Sequence, residues 1–169
     1  TIAEIDSLVP SDAKVMLLFG GSSARKTGTL DEVKQSLGNR FVVEFDGIEP
    51  NPTYETLMKA VAQVREQNID FLLAVGGGSV IDGTKFVAAA AVFEGEPWDI
   101  LTSWGANVTQ AMPFGSVLTL PATGSEMNNA SVVTRKSLQA KLPFRNDLVY
   151  PQFSILDPTK TFTLPERQV

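Results

Sequence analysis

The chain alternates short runs that are apolar throughout with longer stretches in which apolar residues recur every three or four positions. Residues 14–19 form an apolar run that stops at Gly20-Gly21, the pattern of a strand buried on both faces. A polar, glycine-bounded loop follows at 22–28. Leu30, Val33 and Leu37 then fall at helical spacing, and Gly38 closes that helix. The β-branched and aromatic residues 41–45 read as a second strand. Pro50 and Pro52 forbid regular structure between them. Asn51 before Pro52 suits an N-cap followed by proline at the first helical position. The helix so opened carries Leu57, Val61 and Val64 on one face and runs to about Asn68.

Residues 71–75 predict a third strand and 80–92 the helix behind it. By then strand and helix have alternated three times, which argues for a parallel sheet with helices on its faces. The pattern loosens after Pro97-Trp98-Asp99. A fourth strand is expected at 116–120, ending at Pro121, then a Gly/Ser/Asn-rich turn at 122–129 and short strands at 132–134 and 153–156. The fold class is therefore α/β, a Rossmann-like parallel sheet with flanking helices. Thr163, Pro165 and Glu166 look like the cap and first turn of a further helix. We accordingly expect one α/β domain over residues 1–160 and the truncated start of a second, helical domain at 161–169.

Composition narrows the chemistry. With 169 residues, 43% hydrophobic and 20% charged, the chain suits one ordinary folded domain rather than a disordered segment. A net charge of -5 argues against a nucleic-acid partner, whose binding surfaces carry a basic excess. The sequence contains neither cysteine nor histidine. That excludes disulfides, thiolate nucleophiles, a Ser-His-Asp triad and the usual zinc or iron ligand sets within this chain. The longest apolar stretch, 71–93, is interrupted by Gly76, Gly77, Gly78, Asp82 and Lys85. A membrane span would hold those two charges near its centre, so a buried strand, turn and helix is expected instead. The opening residues, TIAEIDSLVP, show no basic stretch followed by an apolar run, so no signal peptide is visible in them.

Three segments carry chemistry. Gly76-Gly77-Gly78-Ser79, between a strand and a helix, lets backbone approach a bulky anion at a helix N-terminus. Diphosphate is the ligand it suits, and a plain strand-to-helix turn is the alternative. Ile81 stands where G-x-G-x-x-G would need glycine, and no Gly-Lys-Ser/Thr follows, so neither the usual dinucleotide fingerprint nor a P-loop is present. Gly20-Gly21-Ser22-Ser23-Ala24-Arg25-Lys26 offers hydroxyls and two cations without a carboxylate, which favours a 2′-phosphate over a bare ribose. Read alone, it serves equally as a solvated basic loop. Thr119 to Asn128 lies at the end of the fourth strand, where open α/β sheets bind ligands. Ser125 lacks a histidine base, and Asp82 with Glu126 offers an acid–base pair only against the commoner readings of a helix-surface Asp and a capping Glu.

In their order, Gly-Gly-Ser-Ser with Arg-Lys-Thr-Gly, Gly47 to Pro52, Gly76 to Phe86 and Leu118 to Asn128 resemble the successive motifs of the iron-containing alcohol dehydrogenases. Within that family the likeness is to the butanol dehydrogenase and NADP-dependent aldehyde reductase branch, over nearly the whole chain. The resemblance implies a dehydroquinate synthase-like N-terminal domain binding NADP, from an enzyme that moves hydride between NADP(H) and an alcohol/aldehyde pair. It implies that Gly20, Gly21 and Ser23 border the 2′-phosphate with Asn51 nearby, and that Gly77, Gly78 and Ser79 hold the diphosphate. Asp82 would lie near the nicotinamide end. Thr119, Thr123, Ser125 and Asn128 would line ribose and nicotinamide, and Lys141 would contact the nicotinamide ribose. Ser22 departs from the family, many of whose members have a third glycine there. The family's metal ligands, one Asp and three His, belong to an all-helical second domain that this sequence does not contain. A divalent metal (iron or zinc) is thus expected only in a full-length parent, and no catalytic or metal-binding residue is assigned here. The family's strand preceding residues 2–8 is also absent. The resemblance further implies a cytoplasmic homodimer acting on small molecules, with no nucleic-acid or membrane partner. Two rival readings are an NAD-dependent enzyme of the glycerol dehydrogenase type and a non-catalytic nucleotide- or phosphate-binding module.

Overall fold

A computed structural model describes residues 2–20, 28–119 and 124–156, apart from the side chain of Ser125. In chain order its principal elements are α1 (Ile5–Leu8), β1 (Val15–Phe19), α2 (Thr29–Leu37), β2 (Phe41–Phe45), α3 (Tyr54–Glu66), β3 (Phe71–Gly76) and α4 (Gly78–Ala90). They are followed by α5 (Trp98–Thr102), β4 (Phe114–Leu118), β5 (Ala130–Arg135), β6 (Ala140–Arg145) and β7 (Ser154–Leu156). Short 3-10 turns lie between several of them.

Five strands form one sheet in the order β2-β1-β3-β4-β7, every neighbouring pair parallel. The expected Rossmann-like α/β architecture is therefore present. Because side chains alternate across a strand, β3 sends Phe71, Leu73 and Val75 to one face and Leu72 and Ala74 to the other. The first face is covered by α1 and α2 through Ile5, Leu30, Val33 and Leu37. The second is covered by α3, α4 and α5, which bury Leu57, Val61, Val64, Phe86 and Leu101. Each such side chain contributes about 1.5–3 kcal/mol on leaving water. Arg40 closes the first layer: its buried guanidinium donates to the carbonyls of Asp6, Val9, Ser36 and Leu37 and pairs with the Asp6 carboxylate at 2.6 Å.

Several boundaries differ from the sequence reading. Asn51 is not the cap of α3; Thr53 is, its side chain accepting from the Thr56 amide, and Pro52 lies outside the helix. The cause is a competing carboxylate. Glu49 accepts from the Thr53 amide at 3.0 Å and from the Thr53 and Thr56 hydroxyls at 3.1 Å each, which fixes the first turn two residues later. Helix α4 starts at Gly78 rather than residue 80, and β4 ends at Leu118. Neither α5 nor β6 was expected. β5 and β6 form a separate antiparallel hairpin packed beside α4. Among the described residues no helix is long and apolar enough to cross a membrane. The helix expected from Thr163, and with it segment 161–169, lies outside the described residues.

Candidate nucleotide-binding site

The order of the parallel sheet decides where a site can form. From β1 the chain goes outward to β2 on one side, then returns past β1 to β3 on the other. The strand order therefore reverses between β1 and β3, and open sheets bind ligands beyond the C-terminal ends of the strands at such a point. Gly20 follows β1 there, Gly76 ends β3, and Thr119 follows β4, its amide donating to the Gly76 carbonyl at 3.0 Å. A methyl group at Gly20 would stand 2.7 Å from the Ile48 carbonyl oxygen. The 47–48 turn is drawn in there by hydrogen bonds from Gly47 N–H to Gly20 O and from Ile48 N–H to Phe19 O. Gly20 is thus required by one backbone approaching another, whatever ligand binds. Gly76 has φ of 155°, and a Cβ there would meet Val80 Cγ2 at 2.9 Å.

Helix α4 begins immediately beyond. Its N-cap, Gly77, has an extended backbone and supplies no side-chain cap, so the amides of the first turn are left for solvent or an anion. Above this end lies a cavity of about 230 Å³ lined by Asn51, Pro52, Gly78, Ser79, Asp82, Val132 and Lys141. Residues from three distant stretches of sequence share it. Asn51 has φ of 55°, and its Oδ1 accepts from Lys141 Nζ at 3.0 Å. The hairpin makes this pairing: Lys141 lies opposite Thr134, and the Thr134 amide donates to the Pro52 carbonyl at 3.0 Å.

Further contacts hold the hairpin in place. The Glu55 carboxylate accepts from the amides of Lys136 and Ser137 at its turn. The Arg135 guanidinium lies 4.7 Å from the Tyr54 ring centre and 5.3 Å from that of Trp98. Burial, then the hydrogen bond to Glu96, pushes the Tyr54 hydroxyl up to about 12, so it remains a donor across the physiological range.

One turn beyond Asp82 on α4, the fully buried Lys85 donates to Asn128 Oδ1 at 2.7 Å and to the Ala130 carbonyl at 2.9 Å. The Ser116 hydroxyl donates to Ser154 Oγ, which donates to the Glu126 carbonyl, both at 2.9 Å. These bonds fasten the 124–128 turn to the sheet. Burial pushes the Lys85 ammonium down to about 8, against the opposing attraction of Asp82 and Glu126.

The structure therefore gathers Asn51, Gly78, Ser79, Asp82 and Lys141 around one cavity, with Gly77 as the N-cap of α4 and Gly20 and Thr119 along the same sheet edge. Asp82, weighed as an ordinary helix-surface residue, lines that cavity and is only partly exposed. Asn128 is engaged with Lys85 rather than among the lining residues. Gly21, Ser23 and Thr123, and the side chain of Ser125, lie outside what is described. Lys85 and Val132 were missed. The available signal for Lys85 was its charge, one of two in the apolar run 71–93, which served only to argue against a membrane span.

Residues 1–158 match the family described as Iron-containing alcohol dehydrogenase. The chain belongs to that family. It is 54% identical to the NADPH-dependent aldehyde reductase YqhD of Escherichia coli, across 99% of this chain and 44% of that protein. It is 50% identical to a probable NADH-dependent butanol dehydrogenase of Bacillus subtilis, across 95% and 42%. The crystal structure of Escherichia coli YqhD superposes with a TM-score of 0.94 at 53% identity, covering 99% of this chain and 43% of that one. That of NADH-dependent butanol dehydrogenase A from Thermotoga maritima gives 0.91 at 38%, covering 99% and 43%. This iron-containing alcohol dehydrogenase chain thus spans under half the length of these relatives. It carries the family's Rossmann-like part, and relatives of both nicotinamide preferences surround it.

Proposed function

We propose that this chain binds NADP(H) as the cofactor-binding part of an oxidoreductase that moves a hydride between the nicotinamide and an alcohol/aldehyde pair. The observation carrying the reading is the cavity over the N-terminus of α4, where Asn51, Gly78, Ser79, Asp82 and Lys141 converge. Each has a task in binding. The uncapped amides at Gly78 and Ser79 receive the diphosphate, and Lys141, held by Asn51, adds a cation and a donor beside it. Asp82 accepts from a hydroxyl or carboxamide N–H at the far end. Bound there, the nicotinamide supplies the hydride chemistry; these residues bind and orient it. Preference for NADP over NAD rests on the sequence of the loop after β1, where Arg25 and Lys26 occur without a carboxylate, and on the NADPH-dependent relative.

A divalent metal in the full-length enzyme would polarise the substrate oxygen. The described residues gather no group of three or more His, Cys, Asp or Glu side chains to hold one, and the sequence has no His or Cys. The metal therefore does not fit this chain, and no step is assigned to it here. We expect the purified chain to show no aldehyde reduction with NADPH and added iron or zinc; metal-dependent turnover would contradict that.

Site location is tested by titrating the chain and Lys141→Met with NADPH, following nicotinamide fluorescence. Loss of the cation and its hydrogen bond should weaken binding about tenfold with little change in melting temperature. Equal affinity of the two proteins would place the nucleotide elsewhere.

A further inference from the structure

Lys85 is a cation on α4 with no exposed surface, and the binding scheme above leaves it without a role. Its Nζ donates to Asn128 Oδ1 at 2.7 Å and to the Ala130 carbonyl at 2.9 Å. The same Asn128 oxygen accepts from the Ala130 amide at 3.1 Å. Two donors on one oxygen settle which way the amide lies, because an ammonium and a peptide N–H can only donate. The Asn128 oxygen is therefore the atom held by Lys85 and Ala130, which leaves its NH2 group for another partner.

We propose that Lys85 is a positioning residue for the nicotinamide nucleotide: by holding Asn128 Oδ1 it turns Asn128 Nδ2 outward as a donor to an oxygen of the bound cofactor. The proposal rests on the cofactor reading given above. The carboxylates facing Lys85 are Asp82, one turn earlier on the same helix, and Glu126 on the 3-10 turn packed against it. Their negative charge keeps the cation in an interior that otherwise disfavours it.

The arrangement has a pH signature. A neutral amine can accept as well as donate, so once Lys85 loses its proton it can satisfy either orientation of the Asn128 amide. Only the weaker Ala130 N–H then selects one. Nucleotide affinity should fall as pH rises through about 8, where Lys85 titrates. Folding stability should respond in the opposite sense. The folded pKa lies below the unfolded value of about 10.4, so between the two the unfolded chain binds more protons and this group's contribution to stability rises with pH. A lysine with a purely structural role would leave nucleotide affinity flat across that window.

The experiment uses the full chain and Lys85→Met. NADPH affinity is measured by nicotinamide fluorescence from about pH 7 to about pH 10, and the Asn128 side-chain NH2 signals are followed by 15N NMR over the same range. We expect K85M to bind about tenfold more weakly at neutral pH and to lose the pH dependence. In the unaltered chain the Asn128 signals should shift with a midpoint near 8. Wild-type affinity in K85M overturns the proposal. Should K85M not fold, the unaltered chain decides, because Asn128 signals that stay flat overturn it as well. If the unaltered chain binds neither NADPH nor NADH, the cofactor reading falls and this proposal falls with it. If it binds and K85M binds equally, only this proposal falls.

Discussion

A methyl group at Gly20 would stand 2.7 Å from the Ile48 carbonyl oxygen, and a backbone atom cannot swing aside as a side chain would. Gly20→Ala should therefore lower stability by about 1–3 kcal/mol, the usual cost of overpacking. Urea unfolding measures this, and an unchanged midpoint would show that the 47–48 turn yields freely. The example shows how far single residues could be read. Gly20 stood out in the sequence as a ligand-facing residue rather than for the strand-end backbone it admits. Asn51 was read as the cap of α3, but Thr53 is the cap and the Asn51 side chain pairs with Lys141. Lys85 was passed over because its partners are 43 and 45 residues away, and no local pattern records such a pairing.

Elements were legible where periodicity was strong. β1, β2 and β3 appeared as expected because each is a short, largely apolar run bounded by turn or polar residues, and α2 because its apolar positions recur every three or four residues. The hairpin was half missed. In β6, Pro143 interrupts the sequence Ala140-Lys141-Leu142-Pro143-Phe144-Arg145, and a two-stranded sheet tolerates proline at an edge that a sequence reading would demote. That strand carries Lys141 to the cavity, so missing it hid how Lys141 meets Asn51. Its docking depends on Arg135 against Tyr54 and Trp98, and Arg135→Ala should cost about 1 kcal/mol of stability, read by thermal unfolding. At the start of α3, burial alone would raise the Glu49 pKa, but hydrogen bonds from Thr53 and Thr56 hold it below the usual carboxylate value. This contribution is present above the unfolded pKa and is lost as pH falls through the lower folded one. Glu49→Gln should lose less melting temperature on acidification than the unaltered chain; an identical acid profile would count against this cap.

For the molecule as a whole, the parallel order β2-β1-β3-β4-β7 brings together segments that the sequence could only list. Alternation of strand and helix announced the architecture, and the Gly76 to Ser79 turn was read as an anion site. Their convergence on one cavity needed the crossover between β1 and β3. Membership of the iron-containing alcohol dehydrogenases agrees with that geometry, while relatives named for NADPH and for NADH leave the nucleotide to be decided by experiment. The measurement that does so is a side-by-side titration of the chain with NADPH and NADH, following nicotinamide fluorescence and thermal stability. This account predicts that both readouts respond to NADPH at lower concentration than to NADH. Binding of neither nucleotide would contradict the cavity as a cofactor site, and tighter binding of NADH would contradict the assignment of the Gly20 to Lys26 loop to a 2′-phosphate.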